Sequence, residues 1–256
     1  MRYFLSFCTV TAFLLLNACS KDISCYRDMI IGSWVEQTFD GQIPETNVRG
    51  VHTFIRPDSR VVRRLSKEGA DHWKIENIEF HYLITCKIIS SGGVVTEGGK
   101  GVYLYREEEV MRFTDSILRV KVIQELIDNN PSTPSIQETT YKKVSSANNN
   151  AKTIQKLWEM TESSDSTMPA LQILFKTDGS YTIFVKNDKE EWEEQSNKAG
   201  KYEVYDAFLM TTSFHCWDIL FDEKGEQMEW NGVVSENGQR SEKRLSFKAV
   251  KPSSAQ

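Results

Sequence analysis

The sequence has few of the side chains that usually carry chemistry, and it lacks the common catalytic motifs. No two of its histidines have the helical spacing that binds zinc in metalloproteases: His52, His72, His81 and His215. The Gly-x-Ser-x-Gly turn that exposes a nucleophilic serine is absent. Residues 93–100 depart from a phosphate-binding loop, because the spacing is wrong by one residue and Gly101 stands where a Ser or Thr would bind magnesium. We therefore expect a protein that is not an enzyme and that binds no metal ion or cofactor.

Cysteine is also scarce in the body of the chain. Of five cysteines, Cys8 and Cys19 belong to the N-terminal leader, and Cys25, Cys86 and Cys216 remain. An odd number does not fit a disulfide framework, although one bridge plus one thiol remains an alternative in an oxidising compartment. The spacings match no zinc knuckle. We interpret Cys86 and Cys216 as small buried side chains.

The chain has no excess of positive charge. It carries 31 basic and 36 acidic residues, and removal of residues 1–18, which hold one Arg and no acid, leaves a net charge of −6. That balance argues against a nucleic-acid partner and against a polybasic membrane-binding patch.

The apolar run at the N-terminus is too short to span a bilayer. Residues 3–16 are apolar apart from Ser6, Thr9 and Thr11, whereas a spanning helix needs about 20 apolar residues. Arg2 before this run and small residues after it are typical of a secretory signal peptide. The sequence Leu16-Asn17-Ala18-Cys19 resembles the lipobox of bacterial lipoproteins. That resemblance implies cleavage before Cys19 and attachment of a diacylglyceryl group and an N-acyl chain such as palmitate to this residue.

Two or more lipid signals hold a protein stably at a membrane, so we expect a lipid-anchored protein of the cell envelope. In the lipoprotein family an Asp after the modified cysteine tends to retain the protein at the inner membrane. Ser20 therefore indicates the outer membrane, on its periplasmic face or at the cell surface. Lys21-Asp22 matches a fragment of the Lys-then-acidic pattern of surface-exported Bacteroidetes lipoproteins.

The rest of the chain carries a duplicated pattern. Five landmarks recur in the same order: Trp34 and Trp158, 54–61 and 175–181, Trp73 and Trp192, Tyr82 and Tyr202, and 141–144 and 247–250. Repeats of this length are tandem domains, since solenoid units have a period of about 20 to 50 residues. The predicted organisation is a signal peptide (1–18), a tether (19–29), a first domain (30–144), a polar linker (145–152), a second domain (153–251) and a tail (252–256).

Within each half the pattern is that of short antiparallel strands. Residues 78–88 alternate apolar and polar side chains, and Asp178-Gly179 between two apolar runs is typical of a tight hairpin. Gly92-Gly93 and Gly98-Gly99 are predicted to bracket loop tips, and residues 117–126 fit a helix and a strand equally well. Many short strands without a long helix predict an all-β fold, with a barrel or sandwich in each half.

The opening Gly32-Ser33-Trp34, the strand meander and a closing basic residue resemble the lipocalin-like barrels. The second half is similar to the lipocalin-like domains of unknown function in Bacteroidetes lipoproteins, through Trp158, Phe175, 178–181, 200–204 and 242–244. This resemblance implies two tandem lipocalin-like antiparallel β-barrels, in which Trp34 and Trp158 close one end of each barrel. It further implies that a basic side chain from the last strand stacks on each indole, with these candidates: Lys142, and Lys248 or Arg244. The second half departs from the pattern, because Lys156 and Leu157 precede its Trp without a Gly.

Trp73 and Trp192 are the candidate ligand contacts. They recur at equivalent places beside charged residues, at 71–74 and 190–194. An aromatic ring at a barrel rim can stack on a sugar or line a ligand mouth. Core packing is the alternative, because Trp is well buried on average. We expect at least one of the two indoles to be partly exposed.

Two interpretations of function remain open. In the first, each barrel of a cell-envelope binding protein holds a small apolar or amphipathic ligand, since an eight-stranded barrel can enclose one. In the second, the barrels are filled, and the chain is a surface interaction or glycan-binding accessory protein. An open apolar cavity would favour the first interpretation, and a barrel filled with side chains would favour the second.

Overall fold

The computed structural model describes residues 26–42, 50–56, 58–67, 73–85, 87–97, 99–144, 150–212, 216–236 and 239–250. They form two units, each built around a closed eight-stranded antiparallel β-barrel. The predicted all-β class with two tandem lipocalin-like barrels is confirmed. The following predicted features lie outside the described residues: the signal peptide, Cys19, Cys25, His72, Cys86, linker residues 145–149, His215 and the tail.

The first barrel, barrel 1, follows a short helix, α1, over residues 26–30. Its strands are β1 (Gly32–Phe39), β2 (Gly50–Ile55), β3 (Ser59–Lys67), β4 (Trp73–Thr85), β5 (Ile88–Glu97), β6 (Lys100–Phe113), β7 (Ile117–Ile127), β8 (Asn130–Pro131) and β9 (Glu138–Lys143). Strands adjacent in sequence pair with one another, the two-residue β8 adds to β7, and β9 pairs with both β7 and β1. The barrel is therefore an up-and-down meander without an open edge.

The second barrel, barrel 2, follows α2 (Asn150–Thr153), so residues 150–152 of the predicted linker lie in a helix. Its strands are β10 (Leu157–Ser163), β11 (Leu171–Phe175), β12 (Ser180–Lys186), β13 (Trp192–Glu194), β14 (Gly200–Tyr205), β15 (Phe208–Thr211), β16 (Trp217–Phe221), β17 (Gln227–Glu236) and β18 (Gln239–Ala249). The short β13 adds to β12, and β18 pairs with β10 to complete the same meander.

The ambiguous segment at 117–126 is a strand. In β7 the side chains of Leu118, Val120 and Val122 are buried, while those of Arg119 and Lys121 between them are exposed. A period of two is the pattern of a strand with one buried face. The β-branched residues in this segment also favour a strand.

Of the three glycine predictions, two are correct and one is wrong. Gly99, with a φ of +79°, lies at the predicted tip between β5 and β6. Gly179 forms the predicted hairpin turn between β11 and β12 with a φ of +79°, a conformation that suits glycine. The prediction for Gly92-Gly93 is wrong, because both residues lie inside β5. A Cβ at Gly93 would lie 2.4 Å from the carbonyl oxygen of Glu79. This glycine therefore allows a close approach of two backbones rather than a turn.

Several contacts recur in both barrels. The Phe54 and Tyr82 rings meet edge to face at 5.1 Å, and those of Phe175 and Tyr202 do so at 4.8 Å. The register of the first strand against the last shifts at one place in each barrel, between residues 36 and 38 on β1 and between 160 and 162 on β10. The repeated residues therefore occupy the same positions in two copies of one fold.

Candidate functional sites

Trp34 and Trp158 are fully buried at the start of the first strand of each barrel. The indole N–H of Trp34 donates to the carbonyl oxygen of Ile30 at 2.7 Å, and that of Trp158 donates to Ile154 at 2.8 Å. Each bond joins the first strand to the segment just before it. The two tryptophans therefore have the same structural role.

A lysine ammonium lies over each of these indoles, but it is not the predicted one. Lys143 Nζ is 5.1 Å from the Trp34 ring, and Lys156 Nζ is 5.2 Å from the Trp158 ring. The prediction of Lys142 is wrong by one residue, which on a strand changes the face. The predictions of Lys248 and Arg244 are also wrong, because their side chains pair with acidic side chains of the outer surface, namely Glu159 and Glu229.

Strand register explains this exchange of lysines. Lys143 pairs with Trp34, whereas Ala249 pairs with Trp158 and supplies no charge. Two residues before the tryptophan, barrel 1 has Gly32 and barrel 2 has Lys156. A Cβ at Gly32 would lie 3.3 Å from Lys143 Cε. The Gly missing from the second half is therefore replaced by the residue that supplies the cation.

A layer of polar side chains crosses the interior of barrel 1. Its six members come from six strands, and each is at most 5% exposed: Glu36, His52, Arg60, Ser91, Glu108 and Tyr141. From the sequence, His52 was considered only as an isolated residue, and Arg60 and Tyr141 only as members of the repeated landmarks 54–61 and 141–144. Strand alternation carried a signal, because Glu36 lies two residues after the buried Trp34 and therefore on the same face.

Arg60 is the centre of this polar layer. Its Nη1 donates to Glu108 at 2.9 Å and to Ser91 at 3.0 Å, and its Nε donates to His52 Nδ1 at 3.1 Å. Its Nη2 also lies against His52 Nδ1 and, at 3.4 Å, against the Tyr141 hydroxyl. A guanidinium has five N–H donors, and here they are directed at neighbouring side chains. An anionic ligand would have to displace one of them.

The contacts of His52 define which of its nitrogens carries the proton. A guanidinium has no acceptor, so Nδ1 of His52 must accept from Arg60 and carries no proton. Nε2 then bears the hydrogen and lies 2.5 Å from Glu36 Oε1, to which it donates. His52 is therefore a neutral ring between a carboxylate and a guanidinium.

Burial and charge act on the pKa values of the layer. Burial by itself lowers the pKa of Arg60, but attraction to Glu108 and then Tyr141 and Glu36 raises it above the ordinary value. Burial raises the pKa of Tyr141 strongly, and the negative charge of Glu108 adds to the shift. Arg60 is therefore charged and Tyr141 is a neutral hydroxyl at physiological pH. With Glu36 and Glu108 as carboxylates, the six side chains carry one net negative charge.

Barrel 2 has apolar side chains where barrel 1 has this layer. Glu36 pairs with Tyr141 in barrel 1, and the equivalent pair in barrel 2 is Met160 with Phe247. His52 pairs with Trp34, and the equivalent partner of Trp158 is Ile173. The interior of barrel 2 is filled by packed aromatic and aliphatic side chains, prominently Trp158, Phe175, Tyr181, Trp217, Trp230 and Phe247.

An open groove of about 490 Å³ lies on barrel 2 and is lined by residues of β10, β16, β17 and β18. Its apolar part consists of Leu220, Phe221, Met228 and Phe247, and its polar part of Thr161, Glu162, Asp222, Gln227, Glu229, Ser246 and Lys248. Ligand pockets span about 300 to 1,000 Å³, so the groove is large enough for a small molecule. Sequence reasoning missed it, because only strand pairing brings Thr161 and Glu162 of β10 beside the consecutive strands β16, β17 and β18.

Three carboxylates and one ammonium give this groove a negative charge. The backbone amide of Gln227 donates to Asp222 and lowers its pKa. Asn231 donates to Glu229 and, with Arg244, lowers the pKa of that carboxyl. Both side chains are therefore ionised at neutral pH, and an anionic ligand would be repelled.

Trp192, His81 and Cys216 belong neither to the polar layer nor to the lining of the groove. Trp192 is half-buried on β13, with Lys186 Nζ 5.5 Å from its ring. The backbone of Trp73 begins β4, and its side chain lies outside the described part of the chain. His81 is exposed on β4, and Cys216 is buried before β16.

Comparisons with known proteins add no family. No family model matches the chain, and no curated protein matches it significantly. In the portion of the chain that the structure describes, no helix is both long and apolar enough to cross a membrane. The fold thus defines the class, a protein of two tandem lipocalin-like β-barrels.

Proposed function

We propose that this chain is a lipid-anchored protein of the outer membrane that binds a neutral glycan in the outer groove of barrel 2. Two β-barrels are compatible with a binding protein. The choice between an internal and an external ligand rests on one observation, the filled interior of barrel 2. Trp230 there packs against Phe247 at 4.7 Å and against Trp217 at 5.6 Å. Side chains occupy the space that an internal ligand would need.

The chemistry of the groove supports a glycan. A sugar presents hydroxyl groups that both donate and accept hydrogen bonds, and a C–H face that packs on apolar side chains. Gln227, Ser246 and Thr161 supply neutral polar groups, and Leu220 supplies an apolar surface that is 57% exposed. The excess of carboxylates disfavours an anionic sugar.

One observation favours the alternative of an apolar internal ligand. The indole N–H of Trp217 is buried and has no hydrogen-bond acceptor among the described residues. A buried donor without an acceptor costs about 1 to 3 kcal/mol, and a ligand carbonyl or ether oxygen inside barrel 2 would satisfy it. The binding experiment must therefore include an apolar ligand.

The glycan proposal is tested by calorimetric titration of the full mature chain with neutral hexasaccharides (maltohexaose and cellohexaose) and with laurate. We expect a hexasaccharide to bind and laurate not to bind. Leu220→Glu should weaken glycan binding about tenfold or more, because burial of a leucine side chain is worth about 1.5 to 3 kcal/mol. Leu83→Glu is the matched control, since Leu83 is a similarly exposed leucine, at 53%, on the outer face of barrel 1.

If the Leu220→Glu variant still binds laurate, the ligand site lies inside the barrel and not in the groove. Equal loss of glycan binding in both leucine variants would contradict the groove as well. If neither ligand class binds, the proposed glycan function is wrong.

The anchor is tested separately. Its support is the sequence alone, namely the signal-peptide pattern of residues 2–16 and Leu16-Asn17-Ala18-Cys19. Cys19→Ala should abolish labelling by radioactive palmitate and move the protein from the membrane to the soluble fraction. Normal labelling and unchanged partitioning of this variant would contradict the lipoprotein proposal without affecting the groove.

A further inference from the structure

We propose that the polar layer of barrel 1 is a pH-sensitive switch, in which a proton added to His52 Nδ1 displaces Arg60 and loosens the barrel in mild acid. This inference is independent of the anchor and of the groove. It rests on the hydrogen-bond directions around one buried ring.

His52 has a single place for a second proton. Its Nε2 already carries a hydrogen, which points at Glu36 Oε1 at 2.5 Å. The second proton must therefore enter at Nδ1, which accepts from Nε of Arg60 at 3.1 Å and also faces Nη2. Protonation turns this acceptor into a donor. Two donors and two positive charges would then face each other inside the barrel, and the Arg60–His52 contacts must break.

The groups around His52 have opposing effects on the uptake of this proton. Glu36 on β1 attracts an imidazolium, and Arg60 on β3 repels it. The Tyr141 ring on β9 lies 4.8 Å from the imidazole, and Ser91 on β5 and Glu108 on β6 accept hydrogen bonds from Arg60. The layer has one net negative charge, so it gains electrostatically from one more proton. The positions of the donors prevent that gain until Arg60 moves.

The sign of the pH dependence follows from linkage. The closed barrel holds His52 with one proton, whereas an exposed histidine takes up a second proton at about pH 6.5. The opened state therefore binds more protons, and the closed state is stable above about pH 6.5 and loses stability as the pH falls below it. For one such group, each fall of one pH unit makes opening of the barrel up to about tenfold more favourable. Barrel 2 has Ile173 at the equivalent position and should not share this response.

Hydrogen exchange followed by mass spectrometry on the full mature chain tests the switch. Protection factors, corrected for intrinsic exchange, are compared at about pH 7.5, 6.5 and 5.5. We expect peptides of β1, β2 and β3 to lose protection by about tenfold between pH 7.5 and 5.5, of which about fivefold falls between the last two values. Peptides of β10 and β11 serve as the internal reference.

The decisive variant is His52→Gln. Its side-chain carbonyl can accept from Arg60 and its amide can donate to Glu36, but it does not titrate. Protection in β1–β3 should then be nearly independent of pH in this range. A parallel loss in wild type and variant would assign the response to other groups and overturn the proposal, as would a wild type without any loss.

A second measurement applies if His52→Gln does not fold. Nitrogen-15 spectra of the imidazole rings in the wild type distinguish a neutral Nε2–H ring from an imidazolium. We expect the neutral form for His52 at about pH 7.5. An imidazolium at this pH, in a barrel that remains closed, would overturn the switch.

Discussion

The two barrels share one architecture and differ in what fills it. At three positions fixed by strand register, barrel 1 has Glu36, His52 and Tyr141, and barrel 2 has Met160, Ile173 and Phe247. The surrounding frame is constant: Trp34 meets Phe113 and Trp158 meets Phe221, each at 5.7 Å. The same barrel backbone is therefore compatible with a polar or an apolar interior.

The difference shows that the charges of barrel 1 are not required by the fold. Replacement of buried ion pairs by packed apolar residues is often neutral or stabilising, because desolvation offsets much of the attraction. Barrel 2 provides such a replacement within the same chain. A polar layer that the fold does not require is available for regulation, whereas in a barrel with a fully apolar, filled interior a ligand must bind at the outer surface.

The largest effect is expected from breaking the polar layer at its centre. Arg60→Met should destabilise barrel 1 by about 3 to 5 kcal/mol, because it leaves buried Glu108 without its counter-charge. The loss of stability is measured by chemical denaturation, with hydrogen exchange in peptides of β1–β3 as the probe of barrel 1. Barrel 2 peptides should be unaffected. A loss below about 1 kcal/mol would mean that the layer is hydrated rather than dry.

A reciprocal exchange between the barrels sharpens the comparison at one position. Phe247→Tyr places a hydroxyl in the apolar interior of barrel 2 and should cost about 1 to 3 kcal/mol, since the group would lack a partner. Tyr141→Phe removes only the 3.4 Å contact with Arg60 and should cost about 1 kcal/mol or less. Urea unfolding of each variant gives both values. The reverse ranking would contradict the polar–apolar contrast.

The sequence predicts much of the barrel architecture and little of the difference between the polar interior of barrel 1 and the apolar interior of barrel 2. The Asp178-Gly179 turn and the barrel class follow from local patterns. Whether Glu36 faces inward depends on the phase of its strand, and whether it meets His52 depends on pairing. The lysine over Trp34 likewise requires the pairing of first and last strands, whereas Lys156 lies only two residues before Trp158 in the sequence. Local alternation fixes the face of a side chain, but only register fixes its neighbours.

The smallest effect is expected at the end of barrel 2, where the cation of Lys156 can be moved to the position that Lys143 has in barrel 1. Lys156→Gly should cost about 1 to 2 kcal/mol, because it removes the cation–π contact with Trp158 and adds backbone freedom. Adding Ala249→Lys should recover about 0.5 to 1 kcal/mol, since residue 249 pairs with Trp158 as Lys143 pairs with Trp34. Ala249→Lys alone is the control and should give no gain, because two ammonium groups would compete for one ring. Thermal unfolding of the three variants measures these differences, and a double variant no more stable than Lys156→Gly would show that the two lysine positions are not equivalent.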